Sequence, residues 1–254
     1  MIPTFLHSFR SEWLKRRRTA ALWLTLIGGG FIPVIILGQR FYSMNTLHSD
    51  NASGNIWETL YHSCWQHMAF FLLPMGVILA TSLVAQLEYR NNTWKQLHTT
   101  PQPLPTIFLA KLGVILVMLS QFFLLFNVGI YLTGIIPALL VKGVPFPQEP
   151  FPLVPFLYGN AKFFLACLPV VALQYLLSLQ FRNFLLPIGA GLGMYIAGMI
   201  AIHWKYAIFI PYVYSAYCLM ETQYGPRIYI YSCAYFLLFS ILGYILFITK
   251  KTRG

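Results

Sequence analysis

EYRNNTWKQLHTTPQPLPTIFLAK, residues 88–111, is a polar island between two long apolar runs. It carries Glu88, Arg90, Lys95 and Lys111 in a chain of 254 residues of which only 9% are charged. A soluble domain averages about a quarter charged residues. On both sides of the island, apolar runs of about 20 residues recur, the length that crosses a bilayer as a helix. Backbone groups inside lipid must be paired internally, so crossing elements are helices or a closed barrel. Continuous apolar runs, rather than alternating ones, select helices. The chain therefore reads as an all-α polytopic membrane protein, and the island as the loop joining its second and third crossings.

Outward from the island, six transmembrane helices are expected, at residues 20–37, 65–87, 107–136, 162–179, 184–202 and 228–248, in one transmembrane domain covering 1–254. Residues 1–19 interleave Arg10, Lys15, Arg16, Arg17 and Arg18 with Phe5, Leu6, Phe9, Trp13 and Leu14. At helical spacing Leu6, Phe9 and Trp13 fall on one side, which predicts an interfacial helix lying on a basic-facing leaflet. Gly28, Gly29, Gly30 and Pro33 lie inside the first span, where they weaken a helix and let another backbone approach. Pro74 lies inside the second. Residues 40–62 are polar and are placed outside, as is the proline-rich stretch 141–158, which is expected to be extended. Residues 203–227 are too apolar for an ordinary loop and are interrupted by Pro211. They read either as a re-entrant element before span six, shielded by protein, or as an aromatic belt on a surface loop.

The charges orient this arrangement. The net charge is +11. In a membrane protein that excess marks the cytoplasmic side and anionic lipid rather than nucleic acid. With both termini inside, only Arg40, Lys142, Lys162, Lys205 and Arg227 fall outside, leaving twelve of the seventeen Lys and Arg in the cytoplasm. The four cysteines are scattered, with no paired spacing, and read as small buried hydrophobes.

No nucleotide-binding G-x-x-x-x-G-K-[ST] occurs, so any energised work needs an ATPase on another chain. The enzymatic alternative is a membrane-embedded, metal-dependent enzyme or accessory protein using His62, His67 and His203. Neither H-E-x-x-H nor G-x-S-x-G spacing accompanies those histidines, and no metal site is predicted. Gln121, Asn127 and Gln174 lie within spans, and line a substrate path or make hydrogen bonds between helices. Gly189 and Gly193 form a G-x-x-x-G close-packing face, within one subunit or between two.

Within the island, Asn91 or Asn92 can cap a short helix carrying Trp94, Lys95 and Leu97, ended by Pro101, Pro103 and Pro105. Such a helix, held between two spans, is a handle that a partner's groove can grip. The run N-N-T-W-K-Q-L-x-T-x-P followed by A-K, with the S-E-W-L-K-R-R-R opening at Ser11 to Arg18, resembles the permease subunits of type-2 ATP-binding-cassette (ABC) exporters. The resemblance is closest to the lantibiotic-immunity branch.

It implies a cytoplasmic coupling helix in the loop 88–106, formed by Glu88, Arg90, Asn91, Asn92, Thr93, Trp94, Lys95, Gln96 and Leu97. It also implies an N-terminal helix, through Phe5, Phe9, Arg10, Glu12, Trp13 and Lys15, that brackets the ATPase with it. The implied assembly pairs two permease copies or paralogues with two ATPase subunits, which bind the ATP and magnesium. No cofactor is expected in this chain. The implied role is export of an amphipathic substrate, a peptide antibiotic or lipid-like molecule, across a bacterial cytoplasmic membrane. Gln102 and Leu104 stand where the family usually carries a basic residue after the island's proline.

Overall fold

The structure is a computed structural model that describes residues 2–17, 19–90, 103–181, 183–220 and 224–251. Among them there is no strand. The helices are α1 (Ile2–Arg16), α2 (Ala20–Tyr42), α3 (Met44–Ala52), α4 (Ile56–His67), α5 (Leu73–Arg90), α6 (Leu104–Leu140), α7 (Leu153–Gln180), α8 (Leu185–Ile200), α9 (Tyr214–Leu219) and α10 (Gly225–Lys251).

Five helical stretches are long and apolar enough to cross a membrane: Ala20–Tyr42, Ile56–Leu87, Leu104–Leu140, Leu153–Gln180 and Gly225–Thr249. Most run past the ends expected from apolar length alone, because a helix continues until a breaker stops it, whatever the bilayer thickness. Residues 40–62, expected as polar loop, are largely helical, in the end of α2, in α3 and in the start of α4. The proline-rich stretch is irregular only to Pro152; Pro155 sits in the first turn of α7, where a missing N–H does no harm. The expected fifth span is the apolar helix α8 of 16 residues. At 1.5 Å per residue it is about 24 Å long, short of the ~30 Å hydrocarbon core. After it, residues 201–220 fold into two 3₁₀ turns and α9.

Sequence breakers explain the irregularities. Pro74 has no N–H to offer the Phe70 carbonyl, so α4 passes into α5 through a π-helical turn, Met68–Leu72. The carbonyls freed there find side chains instead. The Tyr195 hydroxyl donates to Phe70 O, and Ser215 Oγ donates to Ala69 O at 2.9 Å. α2 lies close against α6. A Cβ on Gly129 would sit 2.7 Å from the Pro33 ring, and one on Gly29 3.0 Å from Leu125 Cβ. The core is aromatic: Trp65, fully buried, stacks on Phe163 at 3.7 Å and meets Phe126 edge-on at 5.0 Å. The outer faces of α2 and α10 expose Trp23, Ile27, Val34, Ile230, Leu237 and Ile241. Apolar surface on that scale suits lipid, not water.

The two ends of the bundle differ. One gathers α1, the C-terminal end of α5, the start of α6 and the end of α7. There Gln86 Nε2 donates to the Ser178 and Phe181 carbonyls at 3.1 and 2.7 Å, satisfying acceptors that a helix end leaves open. The other end gathers α3, α4, the end of α6 and the segment before α7.

Candidate functional site

The apolar residues of α1 divide between the protein and its surroundings. Phe9 and Trp13 pack on the core, but Leu6 is 58% exposed. The innermost stripe is polar: Ser8, Glu12 and Arg16, one turn apart, are all buried. They are buried against α6. Lys111, in its second turn, is fully buried, and its Nζ donates to Glu12 Oε2 at 2.5 Å. Lys15 Nζ reaches Glu12 Oε1 at 2.5 Å. Further along, Arg16 Nη1 donates to Gln121 Oε1 at 2.8 Å, and its guanidinium lies 3.7 Å over the Trp13 ring. Phe5, Phe9 and Trp13 form a column of rings along the flank, and Phe9 lies against Gly113 of α6.

A buried lysine in an apolar helix requires a partner, and α1 supplies it. Burial alone would raise the Glu12 carboxyl, but Lys111 and Lys15 outweigh it and hold the group below its ordinary value. The sequence carried the signal for this pairing. Lys111 is the one charge between Lys95 and Lys142, and Glu12 is the one acid before Asp50. Read separately, the two residues reveal no contact. Arg10 is exposed on α1.

The island's flanks join this assembly. Glu88 and Arg90 close α5, and α6 begins immediately after Pro103. Asn91, Asn92, Thr93, Trp94, Lys95, Gln96 and Leu97 lie outside the described residues.

The other polar residues singled out in the spans are engaged between helices. Asn127 Oδ1 accepts from Asn160 Nδ2 at 2.8 Å. Gln174, fully buried, donates to Ser82 Oγ at 2.8 Å and to Pro187 O at 2.7 Å, tying α7 to α5 and α8. Gln121 is held by Arg16. These are hydrogen bonds between helices. Gly189 and Gly193 are exposed, with no atom within 4 Å of an added Cβ. The packing glycines of α8 are Gly191, against Gln174 and Ile78, and Gly198, against Val213. On a helix with a 3.6-residue period, positions two residues apart face different sides, and the pattern alone could not say which pair turned inward.

His62, His67 and His203 are exposed; His62 and His67 are five positions apart on α4, His203 follows α8, and His67 Nδ1 lies 2.9 Å from Ser63 O in its own helix. Among the described residues no three His, Cys, Asp or Glu gather as a metal site, so nothing supports the metal-enzyme alternative. Cys64 and Cys167 are buried as expected, whereas Cys233 is exposed.

A family model described as "ABC-2 family transporter protein" matches residues 8–198. That span covers α1 from Ser8 onward, the Glu12–Lys111 joint, the island and α8 as far as Gly198. The chain belongs to the ABC-2 transporter family. Within this ABC-2 chain the joint thus lies inside the matched region. The chain is also similar to olfactory receptor 6Q1 of Homo sapiens, 31% identical over 102 residues, or 38% of this chain and 32% of that receptor. It spans only about a third of that receptor's length. No solved structure matches the chain.

Proposed function

We propose that this chain is the membrane-spanning permease subunit of an ABC exporter, driven by a separate nucleotide-binding subunit. The family match over residues 8–198 carries the reading, and the lack of any nucleotide-binding motif in the sequence accords with it. The proposed coupling handle is the segment 88–106. ATP binding draws the partner's domains together, they pull this segment, and α5 and α6 move with it. The buried Glu12–Lys111 pair makes α1 part of the same lever. The working assembly is two such permeases, or one with a paralogue, and two ATPases in a bacterial cytoplasmic membrane. Both termini are cytoplasmic, and residues 203–220, before α10, form the re-entrant element. The exported molecule is amphipathic, a peptide antibiotic or lipid-like compound, after the lantibiotic-immunity resemblance.

The test is Trp94→Ala combined with Lys95→Glu in the complex reconstituted with its ATPase. Substrate-stimulated ATP hydrolysis should be abolished while expression and assembly persist. Hydrolysis that stays unchanged would refute the handle.

A further inference from the structure

α2 is drawn onto α6 by Gly29 and Gly129, where the helices come too close for any added Cβ. It is not drawn equally onto α5. Between α2, α5 and α6 a cavity of about 280 Å³ remains, near the lower end of small-molecule pockets, roughly 300–1,000 Å³. Leu24 and Gly28 of α2, Gly76, Ala80 and Thr81 of α5, and Met118 of α6 line it. Small residues on α5 leave the room: at Gly76 nothing lies within 4 Å of an added Cβ. The π-helical turn before α5 contributes Phe71, which lines the cavity and is itself 56% exposed.

Two observations specify an occupant. First, the lining is apolar apart from Thr25 and Thr81, and the cavity is bounded by helices that are membrane-grade along their length. An apolar cavity does not hold water. The medium around these helices is hydrocarbon. Second, Thr81 is 1% exposed and its hydroxyl has no partner among the described residues, whereas Thr25 donates to Ala21 O at 2.9 Å. A buried, unpaired hydroxyl is unfavourable, and a ligand acceptor relieves it. Thr81 stands six residues before Leu87, where the apolar run ends. That is about 9 Å along the helix axis, so a lipid whose ester reaches Thr81 sits deeper than its neighbours in the leaflet.

We propose that this cleft is a lipid site. One acyl chain of a glycerolipid from the leaflet on the α1 side fills the cavity, and its ester carbonyl accepts a hydrogen bond from Thr81. The chain enters sideways between α2 and α5. A bound lipid there braces α2 against the helix that leads into the segment 88–106.

The experiment uses the full chain in nanodiscs containing a phosphatidylcholine with a diazirine midway along one acyl chain. After photolysis, labelled peptides are mapped by mass spectrometry. Label is expected on the peptides around Gly76–Thr81 and Ile115–Phe122, and Ala80→Phe should remove it. Thr81→Val keeps the shape and should lower labelling about fivefold, the effect of one hydrogen bond. It should have no effect with an ether-linked probe, which lacks the carbonyl. If Ala80→Phe fails to fold by gel filtration, Gly76→Leu fills the same space and is read in the same way. Label spread evenly over Trp23, Ile27 and Leu124, unchanged by the filling variant, would overturn the site. An equal loss with ester and ether probes in Thr81→Val would overturn the ester contact. No ATPase enters the measurement, so its failure and that of the transport reading are separable.

Discussion

The two ends of α6 are fastened by different chemistry. At its start, α1 is joined through a buried ion pair, Glu12 with Lys111, extended by Lys15 and by Arg16 on Gln121. At its far end the hydrogen bonds run from a cation to neutral acceptors. Arg40 donates to the Thr133 carbonyl and to the Asn51 side chain, and Asn51 Nδ2 reaches Pro145 O at 2.8 Å. Trp57 completes that end, wedged between Tyr131 and Phe151 with its Nε1 donating to Glu149 O at 2.8 Å. A buried ion pair is strong only while both partners are present, and replacing both together often costs little. The far end distributes its fastening over rings and backbone carbonyls, so no single loss strands a charge. The difference accords with the proposed lever at one end and an anchor at the other.

The largest expected effect breaks the joint. Lys111→Met leaves the Glu12 carboxylate buried with one partner fewer, and should destabilise the protein by about 3–5 kcal/mol. Adding Glu12→Gln should recover much of that loss. Thermal denaturation in detergent measures both, and simple additivity of the two changes would contradict a direct pair.

Next in size is the anchor. Arg40→Gln removes hydrogen bonds from a charged donor and should cost about 1.5–3 kcal/mol. Here a second substitution at Asn51 should not restore stability, because Arg40 also holds the Thr133 carbonyl.

Acid offers a gentler separation of the two ends. Glu12 is held below its ordinary 4.5, so the folded state keeps it ionised where the unfolded chain already binds a proton. Its contribution is complete above the unfolded value and is lost as pH falls through the folded one. Proteolytic release of α1 should therefore rise only in acid, below about 4.5, with that pH dependence missing in Glu12→Gln. The far end, fastened by an arginine charged at every such pH, should show no matching limb.

The smallest effect is a control on packing away from either end. Gly189→Ala and Gly193→Ala meet open space and should leave stability unchanged or raise it by up to about 1 kcal/mol. Gly191→Ala drives a methyl into the Gln174 amide, 2.5 Å away, and should destabilise measurably in the same assay.

How far composition and pattern reach is visible residue by residue. Helical membrane character, the basic N-terminal helix and the helix-breaking action of Pro74 follow from local chemistry. Bilayer thickness, backbone pairing and the missing N–H of proline apply wherever such residues stand. The close approach at Gly29 also follows, since only a glycine lets another backbone come so near. Other features depend on which residues, far apart in the chain, come to lie opposite one another. Glu12 and Lys111 are 99 positions apart, and each alone reads as one more cytoplasmic charge. Gly189 and Gly191 differ by two positions, yet only the neighbour across from α8 makes one a packing site and leaves the other bare. Thr81 is an ordinary helical threonine until the splay of α2 from α5 opens a space beside it. Local physics sets what each segment is; the mutual placement of helices, fixed by close packing and the pairing of buried polar groups, sets what each side chain meets.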